Sequence, residues 1–257
     1  MDQIKLTLTI SRITLTPQSN AIGEQSISYA SRAAINEVSF MDFQHINDAL
    51  SYFSKHQPLL EVGDSADFDE CMLPVSDESR LRFIDAMLDA IVSEKSTVPE
   101  RIALGGLRAV VDTTATMLPY SLFAEGVPGH LRTSVLAKMY VVFAKIFPQR
   151  CALILAHRAS DPISPWNLLC FMWWELLPRH GVPPLTFLEE TDLAILGLME
   201  SVLQVDHVAC KESALHGLGL WKAARPDDVR RAIDRQAEHI PTVLQQYALA
   251  AKDGGIQ

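Results

Sequence analysis

The sequence predicts an all-α fold, built from stacked antiparallel helix pairs behind a short strand-like segment. Three observations lead there. From Gly23 onward, apolar residues recur at steps of three and four. Prolines and glycines interrupt that pattern at intervals, leaving short connections. In the best-marked case, Glu189–Val205 and His207–Trp221 are joined by Asp206 alone, so two helices must fold back as a hairpin.

The N-terminal residues 1–20 are the exception. Ile4, Leu6, Leu8 and Ile10 alternate with Lys5, Thr7 and Thr9, the period of a half-buried strand. Ile13 and Leu15 change parity, the mark of a bulge or turn. Such an arm caps the first helices or pairs with a second chain. Glu24–Phe40 and Met41–Lys55 then read as helices, the second carrying Phe43, Ile46, Leu50 and Phe53 inward. Gln57–Ser76 is a loop holding Glu61, Asp64, Asp67, Asp69 and Glu70 with no Lys or Arg. It reads as a solvated acidic loop or a docking site for a cationic partner, and it lacks the central glycine of a calcium loop.

Glu78–Glu94 is amphipathic, with Leu81, Ile84, Leu88 and Ile91 inward. Thr97–Leu118 follows, opened by Pro99 and Glu100. Pro119–His130 is a connection, Leu131–Phe147 an apolar helix stopped by Pro148, and Cys151–His157 a further helical turn. Trp166–Leu177 carries Phe171, Trp173 and Trp174. Arg225–His239 and Pro241–Lys252 form the last pair, closed by Gly254 and Gly255. The expectation is a single helical domain over residues 1–257, with about ten or eleven helices.

In His207–Trp221, helical spacing puts Cys210, Ala214, Gly217 and Trp221 on one apolar side, and turns Glu212, Ser213 and His216 away from it. A glycine inside a helix costs about 1 kcal/mol relative to alanine. Gly217, sitting on the apolar side, therefore reads as a point where another helix backbone comes close, the alternative being a helix that frays or kinks there. Arg101–Val110 (RIALGGLRAV) echoes Glu212–Trp221 (ESALHGLGLW) at a separation of 111. Three repeats of about 37 residues fit that distance.

Here the chain resembles the HEAT-like repeat proteins. Asp192–Val205 matches a first helix, Asp206 the turn, and Ala209–Ala223 with its ALHGLGLW core a second helix; Arg225–His239 starts another pair. Met172–Pro178 (MWWELLP) followed by CKESALHGLGLW looks like a group of bacterial proteins with HEAT-like C-terminal halves. The resemblance covers roughly residues 160–252, while the N-terminal half departs from regular repeats. It implies a non-catalytic scaffold and supplies no catalytic residues.

The chemistry of the chain agrees with that. There is no phosphate-binding glycine loop, no HExxH and no GxSxG. A net charge of −9 opposes nucleic-acid binding and suits a basic protein partner. Four widely spaced cysteines without a CxxC fit a reducing, cytoplasmic compartment, and no apolar run is long enough to span a membrane. His207, Cys210 and His216 do not share one side of a helix, so no metal site, catalytic residue or cofactor is expected; Glu212 and His216 read as a surface pair or a cap interaction and Cys210 as an inert core thiol. Trp173 and Trp174 diverge by about 100° on a helix, so one is core and the other a candidate anchor, or both lie between helix layers. Arg225, Arg230, Arg231 and Arg235 alternate with acids and read as a solvated face. The partner-binding candidates are Trp173, Trp174, Glu175, Glu212, His216, Asp64, Asp67, Asp69 and Glu70. The leading expectation is a protein-binding scaffold, such as an immunity or antitoxin-like protein masking a basic partner. The alternatives are a ligand-binding protein or enzyme with a pocket between Trp166–Leu177 and the C-terminal helices, and a homodimer paired through the N-terminal segment.

Overall fold

A computed structural model describes Leu50, Pro74 and residues 76–256. The chain divides into two units, Met1–Ser39 and Phe40–Gln257, and every described residue belongs to the second. The strand-like arm, the helix Glu24–Phe40 and the acidic loop with Asp64, Asp67, Asp69 and Glu70 lie outside the described residues, as does all of Met41–Lys55 but Leu50, which is helical and buried.

Among the described residues the fold is all-α, with no strand. Helix α1 is Asp77–Val92. Ser76 caps it, its hydroxyl accepting from Ser79 N–H at 3.2 Å, with Asp77 and Glu78 against the positive helix end. Helix α2, Glu100–Val111, stops seven residues short of the expected end. The cause is Asp112, whose carboxylate accepts from Thr114 N–H (2.8 Å) and from the Thr114 hydroxyl (2.6 Å), turning the chain away from helix. A 3₁₀ helix, Leu118–Phe123, occupies part of the expected connection.

Helix α3, Gly129–Val141, runs through a π turn, Val142–Ile146, into α4, Phe147–Arg150. Pro148 therefore does not end the helix as its position predicts. The π turn restarts the hydrogen-bond ladder, with Phe147 N–H bonding Val142 C=O, and Pro148 falls in the first turn of α4, where no N–H is required. Cys151 is extended, so the expected helical turn shrinks to a 3₁₀ segment, Ala156–Arg158.

Helix α5 is Pro165–Leu176, capped by the Ser164 hydroxyl on Asn167 N–H. Helix α6 is Glu189–Val202 and α7 is Val208–Trp221. Helix α8 is Pro226–Arg235 and α9 is Gln245–Asp253. Gly254, at φ 75°, ends α9; its N–H bonds Ala251 C=O while Gly255 N–H bonds Ala250 C=O at 2.9 Å. No helix among the described residues is long and apolar enough to cross a membrane.

The helices pack in two rows. In one, α1 lies on α3, α3 on α6, and α6 on α8. In the other, α2 lies on α5, α5 on α7, and α7 on α9. Across the rows, α1 meets α2, α4 meets α5, α6 meets α7, and α8 meets α9. Helix α7 consequently has neighbours on several sides. Its buried residues include Glu212, Ser213 and His216, which spacing on a lone helix places toward solvent, and Lys211.

Gly217 does mark a close approach, but of side chains rather than of a backbone. A Cβ there would stand 2.5 Å from Trp174 Cγ and 2.5 Å from Met199 Sδ. Gly106, its partner in the sequence echo, does the same work on α2, where Leu50 Cδ2 would be 2.3 Å away. Gly197, on the exposed face of α6, has nothing within 4 Å. These environments predict opposite signs for one substitution. Gly197→Ala is expected to stabilise the protein by about 0.5–1 kcal/mol through helix propensity. Gly217→Ala gains the same term but forces the rigid root of the indole aside, costing about 1–3 kcal/mol in overpacking. Urea unfolding of both variants checks the contrast; equal shifts of the two midpoints would refute it.

Candidate functional site

Helix α7 carries two polar clusters into the protein interior, and they define the candidate site. The first is built on Glu212, which is fully buried. Its carboxylate accepts from the backbone N–H of Ala156 (2.8 Å) and His157 (2.9 Å), and from His157 Nδ1. Arg158 Nε donates to His157 Nε2 at 3.1 Å, so the imidazole carries its proton on Nδ1, toward Glu212. A buried carboxylate is tolerated only when its lone pairs are filled in this way. Glu212 thus fastens the connection between α4 and α5 onto α7.

The second cluster is a chain of three groups. The Tyr247 hydroxyl lies 2.9 Å from His216 Nδ1, and His216 Nε2 lies 3.0 Å from Glu175 Oε2. The Glu175 carboxylate accepts, so Nε2 carries a proton and Nδ1 is the acceptor for the Tyr247 O–H. Burial, then the charges of Glu212 and Glu175, push the tyrosine well above its ordinary range, which keeps that O–H in place. His157 stacks on the Tyr247 ring at 4.1 Å and His216 packs against Phe171 at 4.5 Å, so the two clusters are continuous. Together they tie α5, α7, α9 and the 3₁₀ segment into one unit. The order tyrosine–histidine–carboxylate is that of a proton relay, but each of its links is consumed within the protein. Its one substantially exposed group is Glu175, whose side chain is 46% accessible.

The sequence candidates therefore separate. Glu175, Glu212 and His216 do come together in this region, but Glu212 and His216 are not a surface pair: both are buried, Glu212 with His157 and His216 with Glu175. Lone-helix spacing misplaced them because α5, α9 and the 3₁₀ segment cover that side of α7. Trp173 and Trp174 are each 0% exposed, so neither offers an anchor to a partner in this conformation. Trp174 stacks on Phe143 at 5.3 Å and Trp173 stands edge-on to Phe143 and Phe147. Of the anchor and core alternatives, the geometry matches the core. His157 and Tyr247 were not legible as site residues, since each is distant in sequence from the groups it serves.

Two further features matter. Arg179 clamps Asp192 through Nε (2.8 Å) and Nη2 (2.6 Å), both residues being buried, and also donates to the Pro183 carbonyl. On α8, Arg230 and Arg231 pair with Asp227 and Asp228, while Arg235 and Arg225 reach Glu200 and Glu189 on α6. The arginine stripe is thus charge-balanced. A cavity of about 370 Å³ is lined by Ala156, Ala159, Asp161, Pro162, Ile163, Pro165 and Leu168. Neither Trp174, His207 nor His216 contributes to its wall. Among the described residues no group of three or more His, Cys, Asp or Glu side chains is arranged to hold a metal ion.

Compared with known proteins, the chain matches no family model, no curated protein and no solved structure.

Proposed function

We propose that this chain is a non-enzymatic protein-binding scaffold, with its helix pairs stacked as in HEAT-like proteins. The observation that carries the reading is the order of packing: within each row a helix touches the corresponding helix of the next pair, α1–α3–α6–α8 and α2–α5–α7–α9. Nearest-neighbour stacking of that kind is what an α-solenoid requires. The echoed glycines add support, because Gly106 and Gly217 lie in the same row and each receives a side chain from another helix. The interval between them spans two steps of the row, α2 to α5 to α7, rather than the three that a repeat of about 37 residues implies. The connections before α3, α5 and α6 are long, and they take up the difference.

The partner we assign is a basic protein, on the net charge of −9. An immunity or antitoxin-like role, masking such a partner in the cytoplasm, is the concrete form of this reading. Affinity capture with the full chain from its native cells, followed by titration of the recovered partner against salt, tests it. The expected result is a protein of positive net charge whose affinity falls as salt rises. Recovery of no protein partner, or an association indifferent to salt, would sink the reading.

A further inference from the structure

The connection between α4 and α5, residues 151–164, is held at three points. Near its start, Asn167 exchanges two hydrogen bonds with Ala152: Oδ1 accepts from the N–H and Nδ2 donates to the carbonyl, both at 2.9 Å. In its middle, Glu212 accepts from the N–H groups of Ala156 and His157. At its end, the Ser164 hydroxyl donates to Asn167 Oδ1 at 2.8 Å while it caps α5. Asn167 is 1% exposed and Glu212 is 0% exposed, so the fasteners belong to the core. What they hold in place faces outward. Leu153 is 73% exposed, the highest value among the exposed large apolar residues described, and Ile154 beside it is 40% exposed. Two residues on, Ala156 begins the wall of the 370 Å³ cavity. Six of its seven lining residues are Ala, Pro, Ile or Leu, and the seventh is Asp161. Among the described residues, no hydrogen bond or ion pair reaches the exposed Asp161 carboxylate. Arg158, the nearest cation in sequence, lies outside the wall and donates to His157 Nε2.

We propose that this cavity is the socket for an arginine side chain of the basic partner, with Leu153 and Ile154 as the apolar contact beside it. The existence of that partner rests on the scaffold reading; the chemistry of the socket does not. The aliphatic stem of the arginine lies against Pro162, Ile163, Pro165 and Leu168, and its guanidinium meets Asp161.

Charge, size and rigidity select that occupant. A single unpaired acid on an otherwise apolar wall is the complement of one cation on an apolar stem. At 370 Å³ the cavity is at the small end of ligand pockets, which run from roughly 300 to 1,000 Å³, so it suits one side chain rather than an extended cofactor. Guanidinium is planar and more weakly hydrated than ammonium, so it packs on apolar walls at less cost and can grip both carboxylate oxygens. Because Asn167 and Glu212 already fix the wall, little chain entropy is lost when the socket is filled. An arginine beside apolar contacts is also the common composition of an interface centre. The buried Glu212 carboxylate thereby acquires a purpose beyond packing, since it holds the wall of the socket in place.

The test titrates the isotope-labelled full chain with N-acetyl-arginine amide and, in parallel, with N-acetyl-citrulline amide, which keeps the shape and lacks the charge. Amide correlation spectra report where each binds. The arginine derivative is expected to shift the signals of Ala156, Ala159, Asp161, Ile163 and Leu168 saturably. The citrulline derivative is expected to bind about tenfold more weakly, the loss of one charge-assisted contact. Asp161→Asn should weaken arginine binding by a similar factor, and with no bond to lose at that carboxylate the variant is expected to keep the fold. Equal binding of the two derivatives by the wild type, shifts confined to other parts of the chain, or normal arginine binding by Asp161→Asn overturns the socket. So does a dimer in sedimentation that Leu153→Asp dissolves, since a second copy then covers this face. The two readings fail separately. If the arginine derivative does not bind but a basic partner is captured, the socket falls and the scaffold stands; if it binds and no partner is captured, the socket stands and the scaffold falls.

Discussion

Replacing Asp192 by alanine is expected to lower the stability by about 3–5 kcal/mol, the usual cost of stranding one member of a buried ion pair. Asp192 is 0% exposed and takes both arms of the Arg179 fork, at 2.8 and 2.6 Å. Arg225 Nη2 adds a weaker contact at 3.7 Å. Without the carboxylate, the Arg179 guanidinium stays in a site where it is 6% exposed and keeps only the Pro183 carbonyl. The cost lies in that unpaired cation more than in the lost attraction. Arg179→Met combined with Asp192→Leu removes both charges and is therefore expected to cost less than Asp192→Ala alone. Chemical unfolding of the two variants checks the order. A loss below about 1 kcal/mol for Asp192→Ala, typical of exposed pairs, would show that water reaches the site.

The second large effect is at Trp174. Trp174→Ala is expected to cost about 3–5 kcal/mol, the range for emptying an aromatic site in a core. The indole is fully buried, stacks on Phe143 at an interplanar angle of 8°, and fills the notch at Gly217. That notch permits a sharper test than the single substitution. In the Trp174→Ala background the rigid obstacle to a Cβ at position 217 is gone, and what remains nearest is the flexible Met199 thioether. Gly217→Ala should then change sign and stabilise by up to about 1 kcal/mol. A four-corner cycle by urea denaturation measures the coupling. Additive effects would mean that the glycine and the tryptophan do not share one space.

Most helices were legible because their signals are local. Ser76 and Ser164 cap helices, Pro165 and Pro226 open them, and Gly254 closes one, all through bonds within a few residues. The errors also have local causes. Thr97–Leu118 reads as a continuous helix until Asp112 turns onto Thr114, and Pro148 reads as a stop until the π turn before it makes room. The candidate site was legible only in part. Glu175, Glu212 and His216 stand out by residue type, yet their partners His157 and Tyr247 are 55 and 31 residues away from Glu212 and His216. Nothing in the spacing links them.

What the sequence determined alone is the helical class, most helix positions, and the importance of His207–Trp221 with its internal glycine. What tertiary structure decided is which side of that helix is covered. A lone helix has a wet side, and on it Glu212 and His216 read as surface groups. Once α5, α6, α8 and α9 surround α7, water is excluded. Each polar group must then find a protein partner, because leaving one unpaired costs about 1–3 kcal/mol. Glu212 finds His157, His216 finds Tyr247 and Glu175, and Cys210 finds the Phe143 carbonyl.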